Sequence, residues 1–238
     1  MSTVSKEISR IWLYNCIPLG LGMIGLSHIS KDPVTQEAVS QIREVNTKQG
    51  ILQLDAHRYK TDIMFAMCAI AKAIPDLNYA AGMMTVKWVI SGSGGELFDN
   101  INKHKDHLSI REVIRYEDVE HVSPEEYEQR KDTNQLVIQD FLNDINRPHA
   151  VGNLAPYGRR KDFFVEQSIR KGAIEMVRNF PSVCSLAKPS IFPPGALMYL
   201  SPLIEPMGNI PEENIRRHIH NSFEELRKRV GIKDLPVE

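Results

Sequence analysis

The chain has 238 residues and a formal net charge of −1, with 42% hydrophobic and 25% charged residues. This length fits one large domain or two small ones, and the composition excludes a disordered tail or a fibrous repeat. The three cysteines are odd in number and far apart, so we expect no disulfide framework and a cytoplasmic or other intracellular location, or a virion if the protein is viral.

The first notable segment is IWLYNCIPLGLGMIGL at residues 11–26, which has no charged residue. Asn15, Pro18 and three glycines would break a membrane-spanning helix, and no small-residue cleavage site follows. We expect this segment to pack on the protein's own core or on a neighbouring subunit. Peripheral contact with a membrane remains an alternative.

Helical signals dominate the next part of the chain. Asp32 as N-cap and Pro33 at the first position predict a helix that ends at Gly50. A second, longer helix is predicted over residues 51–74. The apolar residues 78–90 fit a helix or a strand, and their alanines and methionines favour a helix.

Two capping boxes predict two more helices. In a capping box, the serine hydroxyl accepts a hydrogen bond from the backbone amide of the glutamate three residues later, and the glutamate side chain accepts one from the backbone amide of the serine. Ser109 with Glu112 opens the first, and Ser123 with Glu126 opens the second. The second is expected to bury Val137, Phe141 and Ile145 or a neighbouring stripe. A loop follows at residues 148–158.

The last third of the chain is also predicted to be helical. A helix is expected over residues 162–180, and the proline-rich KPSIFPPG after it must be irregular. The final helix starts at Pro211, ends at the C-cap Gly231, and carries one apolar stripe: Ile215, Ile219, Phe223, Leu226 and Val230.

With almost no alternating strand patterns, the sequence predicts an all-α protein with at most one small hairpin. It would form two lobes, an N-terminal helical lobe over residues 1–147 and a basic C-terminal helical lobe over residues 148–238. The charge distribution supports the division. Residues 1–146 have 15 Lys and Arg against 20 Asp and Glu, whereas residues 147–238 have 14 against 10.

Signals for catalysis are weak. The string GGELFDNINKHKDHLSIREVIRY at residues 94–116 resembles the segment after the hinge of calcium/calmodulin-type protein kinases, but the chain has no glycine-rich strand motif, HRD loop or DFG. His104 and His107 have a spacing that can share a divalent ion on a helix, but no third ligand follows from the sequence. We therefore predict no catalytic residue, no metal and no cofactor.

A metal-dependent hydrolase or nuclease nevertheless stays open as an alternative function. Two-metal cleavage needs clustered carboxylates with a lysine, and the candidates are His57, Asp76, Glu96 and Lys103. These four residues lack the tight spacing of acid and lysine that such sites usually show. The hypothesis is therefore weaker than those based on charge.

Basic residues mixed with aromatic ones in the second half form the candidate functional surface. Guanidinium groups neutralise phosphates and aromatic rings stack on unpaired bases, so this mixture suits single-stranded RNA. A solvated helix face would show the same charges. The predicted nucleic-acid contacts are Arg159, Arg160, Lys161, Lys171, Arg178, Arg216, Arg217 and Arg227.

These observations favour a non-enzymatic protein of the viral nucleocapsid type, which packages single-stranded RNA and assembles into homo-oligomers. A matrix-type or protein-interaction module without nucleic acid is the first alternative, and the metal-dependent enzyme is the second.

Overall fold

The computed structural model describes residues 27–56, 62–85, 107–113, 123–157, 165–191 and 195–232, together with Thr3. Within them, seven strands form one sheet: β1 (Ser27–Ile29), β2 (Ile51–Asp55), β3 (Tyr79–Thr85), β4 (Leu108–Val113), β5 (Ala150–Leu154), β6 (Ser182–Ser190) and β7 (Gly195–Leu200). The helices are α1 (Pro33–Asn46), α2 (Asp62–Ala73), α3 (Pro124–Ile145), α4 (Lys171–Asn179) and α5 (Glu212–Val230), with a 3-10 turn at Glu166–Ser168.

The sheet has the order β1-β7-β6-β2-β5-β3-β4. Strands β6, β2, β5, β3 and β4 run parallel to one another, β7 is antiparallel to β6, and β1 is parallel to β7. Parallel strands that follow each other in the chain need crossover connections. Helix α2 crosses from β2 to β3 past β5, and α3 crosses from β4 to β5 past β3. The fold is therefore a mixed α/β fold.

The prediction of an all-α protein was wrong. Strands β2 and β5 are buried at every position, because helices cover both faces of the sheet. Central parallel strands of this kind read as continuous apolar runs without alternation. Residues 1–147 and 148–238 both contribute strands to the one sheet, so the description of each as a helical lobe was also wrong.

Two hydrophobic clusters lie on opposite faces of the sheet. Helices α1 and α2 cover one, which we call the α1/α2 face, with Ile51, Ala80 and Val183 pointing into it. Helices α3, α4 and α5 cover the other, the α3/α4/α5 face, into which Leu52 and Cys184 point. This alternation of neighbouring residues follows from the period of two in a strand.

Helix α1 begins as predicted: the Asp32 carboxylate accepts a hydrogen bond from the Thr35 amide, and Pro33 takes the first helical position. Helix α5 also matches its prediction. Its buried residues are the five of the predicted stripe, and Gly231 ends it with a φ of 69°. A left-handed C-cap is where glycine is least strained.

Four predicted helices or loops are strands instead. Residues 51–55 form β2, with α2 beginning only at Asp62. Residues 79–85 form β3, and β5 runs through the predicted loop 148–158. The proline-rich stretch continues β6 as far as Ser190.

The first capping box was wrong as well. Ser109 lies in β4, and its hydroxyl donates to Asp144 Oδ2 at 3.1 Å instead of capping a helix. The second box does mark a helix, since α3 begins at Pro124 and buries Phe141 and Ile145 completely. In the described part of the chain, no helix is long and apolar enough to cross a membrane. Residues 11–26 lie outside that part.

Candidate functional site

Strands β2 and β5 end side by side in the sheet, next to the first half of β6, which continues to Ser190. Leu54 lies beside Leu154 on one side and beside Cys184 on the other, and Asp55 pairs with Ser185. In open α/β sheets, ligands bind outside the carboxyl ends of the strands. We call this region the carboxyl edge and take it as the candidate site.

Polar side chains are buried in the sheet directly behind the carboxyl edge. Asp55 and Gln53 are fully buried, and both reach Ser185 of β6. The Ser185 hydroxyl lies 3.0 Å from Asp55 Oδ1 and 3.1 Å from Gln53 Nε2, and 3.2 Å from the carbonyl oxygen of Leu54. Burying a carboxyl group lowers stability unless the group is hydrogen-bonded. The contact with Ser185 supplies one such bond to Asp55.

Asn153 of β5 lies next to this cluster on the same face, beside Gln53 in the register. Its side chain is 2% exposed, and neither amide atom has a hydrogen-bond partner within the described residues. On the other side of Asn153 lies Gly82, where an added Cβ would meet only the Asn153 carbonyl oxygen, at 4.0 Å. Among the described residues, the Asn153 amide therefore has no hydrogen-bond partner, and no side chain lies within 4 Å of the Gly82 position beside it.

Two charged segments follow these strand ends in the sequence. His57 comes two residues after β2, and Asp62 is the first residue of α2. Arg159, Arg160 and Lys161 follow β5 after Tyr157, the last described residue of that stretch. His57 and the three basic residues lie outside the described residues, so their connection to the carboxyl edge is one of sequence.

Three of the predicted RNA-contacting arginines hold the fold together. Arg178 Nη1 donates to the carbonyl oxygens of Gly208 and Ile210, both at 2.8 Å, and Arg178 Nε lies 3.3 Å from Glu175. These contacts join α4 to the chain before α5. They engage Nη1 and Nε of the guanidinium group.

Arg216 and Arg227 on α5 have similar roles. Arg216 Nη1 donates to the carbonyl oxygens of Gln167 and Ile169, and its Nη2 lies 2.5 Å from Glu212 Oε1. Arg227 Nη2 lies 2.8 Å from Glu224 Oε2. Lys171 and Arg217, by contrast, are exposed, at the start of α4 and on α5.

Some of the predicted metal ligands lie in the described part of the chain and others lie outside it. His107 Nδ1 lies 3.0 Å from the Asn78 carbonyl oxygen, and Asp76 is exposed. His104, Glu96 and Lys103 lie outside the described residues. Within the described ranges, no group of three or more His, Cys, Asp and Glu side chains could hold a metal ion.

The buried cysteines fit the predicted role as core residues. Burial raises the pKa of Cys68 to about 12, and it raises the pKa of the fully buried Cys184 further. Both therefore remain neutral thiols near pH 7, and a neutral thiol is a poor nucleophile. Burial, followed by the charges of Cys184 and Glu224, also raises the pKa of Tyr157 above its ordinary range.

Sequence reasoning missed Gln53, Asp55, Asn153 and Ser185. A signal was present, because Gln53 and Asp55 interrupt the apolar run ILQLD before a histidine. Polar residues at alternate positions of a strand share one face, but this pattern becomes visible only when the run is read as a strand.

Comparison with known proteins gives no family: no family model matches this chain, and no curated protein matches it.

Proposed function

We propose that the protein is a transferase that moves an acyl group onto a hydroxyl of a phosphate-bearing acceptor, with His57 as general base. The register of β2, β5 and β6 carries this proposal. It brings the buried Asp55 cluster to the edge from which His57 and Arg159 follow in sequence.

The residues around β2 supply a base. Histidine is the side chain that most often accepts a proton in catalysis near neutral pH, and a carboxylate usually orients its ring. His57 and Asp62 provide these two groups between β2 and α2. Asp55, buried two residues before His57, brings a second carboxyl group to the end of β2.

The residues after β5 supply positive charge. Three consecutive basic residues follow β5: Arg159, Arg160 and Lys161. Their three positive charges suit an acceptor with a phosphate group. The free amides in the first turn of α2 carry partial positive charge, and they suit the oxyanion that forms when a hydroxyl attacks a carbonyl.

In the proposed step, the imidazole of His57 takes the proton of the acceptor hydroxyl while the oxygen attacks the carbonyl carbon of an ester or thioester. The tetrahedral intermediate collapses with cleavage of the bond to the leaving group, which receives the proton from His57. An acyl ester of the acceptor and the free alcohol or thiol result. The step needs no protein nucleophile.

The test measures acyl transfer from p-nitrophenyl butyrate to glycerol 2-phosphate, with uncharged glycerol as the comparison. We expect His57→Ala to lower the rate by at least about 100-fold, because general-base catalysis contributes roughly 10²–10⁴-fold. His218→Ala, which changes an exposed histidine on α5, is the matched control and should leave the rate unchanged.

A second variant tests the acceptor site. Replacing Arg159, Arg160 and Lys161 with alanine should raise KM for glycerol 2-phosphate and leave transfer to glycerol unchanged. Equal rates for wild type and His57→Ala, or no transfer to either acceptor, would contradict the proposal.

RNA packaging with self-assembly, the matrix-type module and the metal-dependent nuclease stay predictions. The contacts of Arg178, Arg216 and Arg227 leave Lys171 and Arg217 as the exposed members of the predicted RNA surface among the described residues. A raised 260/280 absorbance ratio in freshly purified protein would favour RNA packaging over the transferase.

A further inference from the structure

A pocket of about 520 Å³ opens between β1, α1 and the end of α2, on the α1/α2 face. It has the volume of a site for a small organic molecule. The described residues that line it combine three cationic side chains with polar and apolar ones. None of them is acidic.

Three of these residues carry a permanent positive charge at pH 7. Lys31, Arg43 and Lys72 come from three different parts of the fold, and none of them forms an ion pair with a carboxylate within the described part of the chain. Cations on a protein surface ordinarily alternate with carboxylates. Three cations around one cavity, with no acidic side chain among its described lining residues, give it a positive potential.

The two cations nearest the ends of β1 and α2 are held in place by backbone contacts. Arg43 Nε donates to the Ala73 carbonyl oxygen at 2.6 Å, and Lys72 Nζ donates to the Ser27 carbonyl oxygen at 2.7 Å. These carbonyl groups would otherwise repel an anion. The contacts use one donor of each side chain, so four N–H groups of Arg43 and two of Lys72 remain.

Four residues of the described lining are apolar, namely Ile29, Val39, Ala73 and Leu197, and Ser27, His28 and Gln36 add polar groups. Burial also lowers the pKa of Lys72, and the neighbouring Cys68 offsets this effect only in part. An anionic ligand with an apolar body would satisfy both parts of the pocket.

We infer that this pocket binds a phosphate monoester with a compact apolar body. A phosphate monoester carries about −1.5 to −2 charges at pH 7, whereas a carboxylate carries one. The phosphate monoester therefore matches the three cations of the pocket better than a carboxylate ligand would. The planar guanidinium of Arg43 suits bidentate contact with phosphate oxygens. The site lies apart from the carboxyl edge and does not depend on the proposed transferase activity.

The test is isothermal titration of the full-length protein with phenyl phosphate. We expect one saturable site whose Kd rises at least about tenfold in the double variant Lys31→Gln/Lys72→Met, since a hydrogen bond to a charged group contributes that much or more. Lys31→Gln alone guards against misfolding, because Lys31 is exposed, and it should weaken binding by a smaller factor. Lys48→Gln, at an exposed lysine beyond α1, is the matched control and should bind as wild type does.

Two further arms define the ligand. Benzoate, with one charge, should bind about tenfold more weakly than phenyl phosphate, and equal affinity would overturn the assignment to phosphate. Phosphatidylcholine vesicles that contain phosphatidic acid should displace phenyl phosphate if the monoester is a lipid headgroup. If they do not displace it, the ligand is a soluble monoester.

A variant of the basic segment after β5 distinguishes phosphate binding in this pocket from binding at the proposed transferase site. The Arg159→Ala/Arg160→Ala/Lys161→Ala variant should keep the pocket's affinity for phenyl phosphate. Loss of binding in that variant alone, wild-type affinity in Lys31→Gln/Lys72→Met, or no saturable binding in the wild type would each overturn the inference.

Discussion

The α3/α4/α5 face of the sheet buries aromatic side chains, whereas the described part of the α1/α2 face buries aliphatic side chains and many alanines. Phe141, Phe180 and Phe223 are all buried on the first. The second has no buried aromatic residue among those described, and it includes five alanines of α1 and α2. The buried Gln53, Asp55, Asn153 and Ser185 also lie on the second face or at its end.

The two faces therefore have different roles, one mainly in stability and the other next to the proposed functional sites. Large apolar side chains contribute most of the hydrophobic stabilisation, because it scales with the apolar area removed from water. Buried polar groups lower stability unless they are paired, and proteins commonly keep them at functional sites. The α1/α2 face also contains the cationic pocket, so both proposed sites adjoin the face with the weaker apolar packing.

The largest expected effect is at Phe223, at the centre of the α3/α4/α5 face. Its ring is fully buried and its centroid lies 5.4 Å from that of Tyr157. Phe223→Ala should lower the free energy of unfolding by about 3–5 kcal/mol, measured by urea denaturation. Leu136→Ala, at a side chain that is 68% exposed on α3, should change it by less than about 0.5 kcal/mol. A loss below about 1 kcal/mol for Phe223→Ala would remove the contrast between the faces.

A pair of glycines compares the faces directly. At Gly152 an added Cβ would lie 2.8 Å from Phe141 and 2.9 Å from Ile145, so Gly152→Ala should lower the free energy of unfolding by about 1–3 kcal/mol. At Gly82, on the α1/α2 face, the added Cβ meets open space. Gly82→Ala should therefore leave stability unchanged or raise it by up to about 1 kcal/mol. Equal losses in the two variants would mean that both faces are packed alike.

The smallest expected effect concerns Asp32, where the two faces are joined. Burial raises the Asp32 pKa, but hydrogen bonds from Thr35 and Ser30 and the charge of Arg229 outweigh burial and hold the pKa below its ordinary value. Arg229 comes from α5 and lies 3.4 Å from Asp32 Oδ1. A lowered pKa means that the ionised carboxylate stabilises the folded state above the ordinary pKa, and that this stabilisation is lost as the pH falls through the lowered value.

Asp32→Ala should therefore lower the free energy of unfolding by about 1 kcal/mol at pH 7, as loss of an N-cap does. The difference from wild type should shrink below about pH 4, and urea denaturation at a series of pH values measures it. Asp76→Ala, at an exposed turn, is the control and should change the free energy of unfolding by less than about 0.5 kcal/mol. A pH-independent loss for Asp32→Ala would show that the carboxylate's charge is not involved.

Helices were predictable from sequence where local signals were complete. Helix α5 has a start, a stripe of five apolar residues and a C-cap glycine within 21 positions, from Pro211 to Gly231. Helix α1 has an N-cap aspartate before a proline. Each of these signals acts within the helix itself, so the rest of the fold was not needed to read them.

The strands depend on partners that are distant in sequence. Ile51–Asp55 is a strand because β5 and β6 pair with it on either side, about 100 and 130 residues later in the chain. Ser109 followed the pattern of a helix cap, but pairing with β3 placed it in β4. The buried polar cluster was missed for the same reason, since Gln53 and Ser185 approach each other only after the sheet has formed.

The edge strand β1 has a consequence for how the chain is made. Ser27 of β1 pairs with Ala196 of β7, so the first described strand in the sheet cannot pair until the last one has been synthesised. At about 5–20 residues per second, translation of the intervening chain takes on the order of ten to thirty seconds. During that interval the apolar side chains of the N-terminal half have no completed sheet to cover them. The nascent chain therefore exposes this apolar surface until β7 has been synthesised and can pair with β1.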